Sequence, residues 1–228
     1  MDTEQFTIPL WLELTAVGLG GIQGALFASG FRGERRLDLL GVAIIGTVMG
    51  LGGGLIRDLM LGLPPASLQS EWYLPVVVVA AFIGMLLAAP LQRVNAVIVG
   101  LDALVIGLFG AFGTSKALSL GVPIIPSIFV GICSAVGGGI LRDMLMSLPV
   151  SIMHVGSLYA VAAGAGCAVL AILHLFDVPI FISGLIAVAV TTVIRWLAVI
   201  FDVSLPEQRM LYRRKVATET GLIPIVRR

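Results

Sequence analysis

Residues 52–64 read GGGLIRDLMLGLP, and residues 137–149 read GGGILRDMLMSLP. The two stretches lie 85 residues apart and share seven identities; Gly62 against Ser147 aside, they differ only by exchanges among Leu, Ile and Met. A match of this kind marks an internal duplication. Each copy sets three consecutive glycines in an apolar run and follows them with an adjacent Arg and Asp, Arg57 and Asp58 in the first, Arg142 and Asp143 in the second.

The surrounding chain is 228 residues long, 58% hydrophobic and 12% charged, with a mean hydropathy of +1.08. A water-soluble domain with that composition could not cover its surface with polar groups. A spanning helix takes about 20 mostly apolar residues. Seven such runs are present, at roughly 10–31, 38–61, 73–91, 95–115, 123–146, 154–174 and 178–201, with prolines near their ends (Pro64, Pro65, Pro75, Pro90, Pro123, Pro149, Pro179 and Pro206). The sequence therefore predicts an all-α integral membrane protein, a single membrane domain over 1–228 with no soluble domain. Residues 1–9 lack the basic start and cleavage site of a signal peptide, so the first span is expected to be retained. Cys133 and Cys167 lie in apolar runs and form no disulfide framework. A net charge of +1 predicts no nucleic-acid partner.

Lys and Arg accumulate in short cytoplasmic segments. Arg32, Arg35, Arg36, Arg93, Arg209, Arg213, Arg214, Lys215, Arg227 and Arg228, ten of the fourteen basic residues, fall on one side of the predicted topology. That places the N-terminus outside and the C-terminus in the cytoplasm of a multi-pass cell-membrane protein. Repeat 1 then covers about 10–91, repeat 2 about 95–174, an unpaired helix 178–201, and a basic cytoplasmic tail 202–228. Each repeat crosses an odd number of times, so the copies must insert with opposite orientations, as an inverted repeat with its site expected where the halves meet. At the 85-residue offset Gly46 matches Gly131 and Phe27 matches Phe112, but Asp102 falls on Val17, a charged position without a counterpart.

Three adjacent glycines weaken a helix by about 1 kcal/mol each relative to Ala, so a kink or break is expected at Gly52, Gly53 and Gly54 and at Gly137, Gly138 and Gly139. A break would offer free carbonyls to a cation and free amides to an anion. The plainer alternative is that the glycines allow close helix crossing, continuing the ladders Gly46, Gly50, Gly54 and Gly131, Ala135, Gly139. Arg57 and Arg142 could grip an anionic group, or each could pair with a nearby Asp and pin neighbouring helices; ionisable groups at membrane depth are functional candidates by default. Depth along the predicted spans suggests two pairs, Lys116 with Asp58 and Asp102 with Arg142. Arg195 is expected to snorkel to the headgroups, Glu13 to reach the outer interface, and Trp11, Trp72 and Tyr73 to form an aromatic belt. His154 and His174 flank the sixth run with no metal-ligand spacing around them, so no metal and no cofactor are expected. No nucleophile-elbow or phosphate-loop signature is present, and an enzyme is not expected.

Two copies of GGG-x-x-RD near the ends of the second and fifth runs, with LDALVIGLFGAFGTSKAL at 101–118, resemble the prokaryotic members of the trimeric intracellular cation (TRIC) channel family, which include the bacterial UPF0126 proteins also described as carrying a glycine-transporter domain. The resemblance covers about residues 13–200. It implies a homotrimer in a lipid membrane, each protomer holding a hydrophilic pore for potassium and other monovalent cations. It further implies kinks at the two glycine triplets and polar lining or gating by Arg57, Asp58, Asp102, Lys116, Arg142 and Asp143. The residues alone leave open secondary transport of a small zwitterion such as glycine, since inverted repeats are frequent in transporters, and a structural or lipid-binding role.

Overall fold

A computed structural model describes residues 8–30, 37–91, 95–153, 158–201 and 203. Among these residues the chain is helical throughout, without strands: α1 (Leu10–Gly30), α2 (Leu39–Met60), α3 (Ala66–Gln69), α4 (Tyr73–Leu91), α5 (Asn95–Ser119), α6 (Ile124–Leu145), α7 (Tyr159–Leu175) and α8 (Ile180–Ile200), with one 3₁₀ turn at Ser151–Met153. Five of these, α1, α2, α5, α6 and α8, are long and apolar enough to cross a membrane; α4 and α7 are equally apolar but shorter over their described residues. The short α3 and the 3₁₀ turn were not predicted. Large apolar side chains on α4 (Val79, Phe82, Ile83, Leu86) and α8 (Phe181, Ile182, Leu185, Val193, Trp196) point outward, as lipid-facing residues do. The basic residues that set the expected orientation, and His154, lie outside the described residues.

The duplicated motif ends its helix in the same way twice. After α2, Gly62 adopts φ +66° and the Leu63 amide donates to the Asp58 carbonyl at 2.9 Å. After α6, Ser147 adopts φ +52° and the Leu148 amide donates to the Asp143 carbonyl at 2.8 Å. This six-to-one closure needs a left-handed residue, for which glycine is the unstrained choice. Ser147 carries the cost of a Cβ in that conformation.

The centre of the molecule is the crossing of α2 and α6. A Cβ on Gly53 would strike the Ser134 carbonyl oxygen, and one on Gly138 the Met49 carbonyl oxygen; a Cβ on Gly52 would come within 2.8 Å of Leu141 Cδ1, and one on Gly137 within 2.5 Å of Ile56 Cδ1. Met49 and Ser134, and Ile56 and Leu141, are themselves 85 residues apart, so each contact is the other with the two helices exchanged. Later residues of α2 meet earlier residues of α6, which makes the crossing antiparallel. The Ser134 hydroxyl bridges it, donating to the Gly53 carbonyl at 3.2 Å. Both helices run unbroken through their triplets, contrary to the expected break. Gly52, Gly53 and Gly138 serve close packing on the backbone of the other helix and Gly137 on the Ile56 side chain, the plainer of the two readings, because helices in lipid associate through such contact. Around this crossing α1 packs on α2 and α4, while α5 packs on α6 and α8, and α8 also lies against α7.

Candidate functional site

Packing corrects the register between the halves. Gly24 of α1 faces Gly46, Met49 and Ile45, and Gly113 of α5 faces Gly131, Ser134 and Val130. The α2 and α6 residues correspond at 85, so Gly24 and Gly113 are equivalent at 89. The extra four residues lie in the first connection: eight residues separate α1 from α2, against four between α5 and α6. In this register the counterpart of Asp102 is Glu13, not Val17, and that of Lys116 is Phe27. Neither half lacks the acid.

Near the end of α2 five polar side chains converge. Arg57 donates through Nε to Asp58 Oδ1 at 2.8 Å and through Nη1 to Glu13 Oε1 at 2.9 Å. The Tyr73 hydroxyl donates to Glu13 Oε2. Lys116 Nζ lies 2.9 Å from Asp58 Oδ1, which is the expected pair. Asp58 Oδ2 accepts from the Ala66 amide at 2.8 Å and so ties the end of α2 to the start of α3. Arg57 and Asp58 are buried, while the Lys116 side chain is 24% exposed. Glu13 and Tyr73 are therefore drawn inward, against the expectation of interfacial positions for both.

A cleft leads to this group. Its outer part, about 500 Å³, is lined among others by Glu13, Gln69, Ser70, Tyr73, Lys116 and Ser119. Deeper lies a narrow pocket of about 20 Å³ bounded by Arg57, Asp58, Gly54, Phe109 and Phe112, room for about one water molecule. A Cβ on Gly54 would meet nothing within 4 Å. That glycine differs from its two neighbours in facing open space rather than a helix.

A second group forms near the end of α6, at the opposite end of the crossing. Arg142 donates to Asp143 Oδ1 through Nε at 2.9 Å and Nη2 at 2.7 Å, and Asp143 Oδ2 accepts from the Ser151 amide and hydroxyl, each at 2.8 Å. In both halves the acid thus stitches its helix to a residue eight positions on. The groups then diverge. Where the first has Lys116 on Asp58, the second has the Phe27 ring 3.9 Å beneath the Arg142 guanidinium. Arg142 Nη1 faces Met49 Sδ at 3.9 Å, where Arg57 Nη1 holds a carboxylate. The expected Asp102–Arg142 pair is replaced by Arg195 of α8, whose Nη2 and Nε lie 3.0 and 3.2 Å from Asp102 Oδ2 while its guanidinium covers the Tyr159 ring at 4.7 Å. Arg195 does not snorkel: its side chain is 11% exposed. Gln23 donates to the other oxygen of Asp102.

Of the residues singled out in sequence, Arg57, Asp58 and Lys116 meet at one end and Asp102, Arg142 and Asp143 lie toward the other. Glu13, Tyr73, Gln23 and Arg195 were missed as members. The signal existed for two of them, since Glu13 and Asp102, and Tyr73 and Tyr159, recur at 89 and 86 residues. Among the described residues each group is balanced, two acids against two bases: Glu13 and Asp58 against Arg57 and Lys116, and Asp102 and Asp143 against Arg142 and Arg195. Among the described residues no set of His, Cys, Asp and Glu is arranged to hold a metal.

Comparison with known proteins gives a consistent result. The family model described as "Glycine transporter" matches residues 10–89 and 99–175, segments that begin 89 residues apart, the register seen in the packing. The UPF0126 inner membrane protein YadS of Escherichia coli K12 is 30% identical over 199 residues, covering 86% of this chain and 94% of that protein. A UPF0126 membrane protein of Deinococcus radiodurans is 34% identical over 158 residues, 68% of this chain and 72% of that one. A solved structure of a TRIC cation channel superposes with a TM-score of 0.77 at 29% identity, covering 89% of this chain and 98% of the other. The TRIC orthologue of Rhodobacter sphaeroides gives 0.77 at 28% identity, with 85% and 98% covered.

Proposed function

This chain belongs to the TRIC/UPF0126 family of membrane proteins, and we propose that it is a potassium-permeable monovalent cation channel working as a homotrimer with a pore in each protomer. The observation that carries the reading is the pair of charged groups at opposite ends of the antiparallel α2–α6 crossing, one of them open to a cleft that reaches Gly54. Buried ionic groups are costly in lipid and mark a permeation path or a site. The TRIC cation channels that share the fold add support.

In this reading seven helices cross the membrane, α1, α2, α4, α5, α6, α7 and α8, as one membrane domain. The first three and the next three of these form inverted repeats (about 10–91 and 95–174), α8 is additional, and 202–228 is a basic tail. The reciprocal glycine contacts favour a two-fold relation between the halves. The N-terminus faces outside and the C-terminus the cytoplasm, so the α2 group guards the outer mouth and the α6 group the inner one. Gly52, Gly53, Gly54, Gly137, Gly138 and Gly139 let α2 and α6 bend without breaking, and Arg57, Asp58, Asp102, Lys116, Arg142 and Asp143 line or gate the path. Because each charged group is balanced, selection among ions rests on local oxygens and pore width rather than on net field.

Purified protein in planar bilayers should show unitary potassium currents. Saturable glycine flux driven by a proton or sodium gradient, with no unitary current, would overturn the channel in favour of a transporter.

A further inference from the structure

The second charged group differs from the first in where its balancing base comes from. At the α2 end all four charges belong to the duplicated helices α1, α2 and α5: Glu13, Arg57, Asp58 and Lys116. At the α6 end the position equivalent to Lys116 is Phe27, so the duplicated helices supply Asp102, Asp143 and only Arg142. Among the described residues that set carries one net negative charge. Neutrality returns through Arg195 of α8, a helix outside the duplication, which grips Asp102 Oδ2 through two nitrogens.

Beside the same carboxylate sits a second feature with no equivalent in the first half, where its position is Phe112. Gln23 is 4% exposed and spends its amide nitrogen on Asp102 Oδ1, while its Oε1 has no hydrogen-bond partner. A buried acceptor without a partner is unfavourable. The Gln23 amide oxygen and the Asp102 carboxylate, held on neighbouring side chains, are both ligand types suited to a hard cation.

We propose that Asp102 and the buried amide oxygen of Gln23 form a monovalent-cation site at the α6 end of the bundle, and that Arg195 of α8 is its resident counter-charge, displaced when a cation occupies it. The site deepens the channel reading and rests on it only for its role in conduction; α8 then sets how strongly that mouth attracts cations.

Two measurements test the site, one of them independent of conduction. For binding, the probe is potassium chloride against choline chloride, read as thermal unfolding of purified protein. Arg195→Gln should gain a potassium-specific rise in midpoint that disappears in Arg195→Gln/Asp102→Asn. For conduction in planar bilayers, Arg195→Gln should raise unitary potassium conductance roughly two-fold at about 0.1 M KCl, and much less at about 1 M, where the screening length falls from about 10 Å to about 3 Å. Arg195→Lys, which keeps the charge but loses the two-nitrogen grip, should fall between the parent and Arg195→Gln. If Arg195→Gln does not yield folded protein, Asp102→Asn alone decides: it removes the negative charge facing Arg195 and should lower conductance at about 0.1 M KCl with recovery at about 1 M. Equal changes with and without Asp102, or no potassium-specific shift in Arg195→Gln, would reject the site. If the parent protein carries no unitary current while the potassium shift persists, the channel reading fails and the site stands.

Discussion

Asp58 and Asp143 carry more of the local structure than their adjacency to an arginine suggests. Each has one oxygen on the neighbouring Arg and the other on a backbone amide eight residues later. Removing Asp143 takes the carboxylate from the buried Arg142, removing Asp58 leaves Arg57 with Glu13 alone and strips Lys116, and either change frees the following segment, so Asp58→Ala and Asp143→Ala should each destabilise by about 3 kcal/mol. Lys116 is partly exposed and its pair is screened by water, so Lys116→Met should cost less than about 1 kcal/mol. Thermal unfolding in detergent orders the three, and a Lys116 variant as damaging as the Asp variants would contradict the assignment. The Arg-Asp adjacency was legible in sequence because both members recur at one offset. Glu13 and Arg195 were not, because a charge near a predicted helix end reads as interfacial until the opposing side chain is known.

Among the helices, the triplet glycines fall into two kinds that their sequence does not separate. Gly53 and Gly138 face carbonyl oxygens across the crossing, whereas Gly54 faces open space. Gly53→Ala and Gly138→Ala should each destabilise by about 1–3 kcal/mol through overpacking, while Gly54→Ala should be neutral or stabilise by up to about 1 kcal/mol through helix propensity. In the channel reading a larger residue, Gly54→Leu, fills the narrow pocket and lowers conductance without unfolding the protein; parent-like conductance in folded Gly54→Leu would detach the pocket from the ion path. Relieving the left-handed Ser147 by Ser147→Gly should add about 1 kcal/mol, read as a higher unfolding midpoint. The expected break at the triplets fails because helix propensity is a weak prior. The cost of glycine is offset here by the close approach of a second backbone, which no larger residue would allow.

At the scale of the whole molecule, the antiparallel crossing sends the two motif copies to opposite ends of the bundle. In the proposed topology, with the native cysteines replaced, Gln69→Cys should react with an impermeant thiol reagent added outside intact cells, and Met153→Cys only after the cytoplasmic side is opened. Labelling of both from one side would reject the inverted repeat. The amino-acid sequence by itself determined that the chain is helical and membrane-embedded, since only helices and closed barrels satisfy the backbone in lipid and apolar runs of about 20 residues fit the helix, and that it contains a duplication. It did not determine the register between the halves, because a slip of four residues turns a helix by about 400°, only about 40° from its starting face, and leaves the pattern of small and apolar residues in phase. Tertiary packing settled the register by showing which glycine meets which backbone. It also decided the partners of the buried charges: Asp102 was within reach of a base from its own repeat by depth alone, and the position of α8 beside α5 gave it to Arg195.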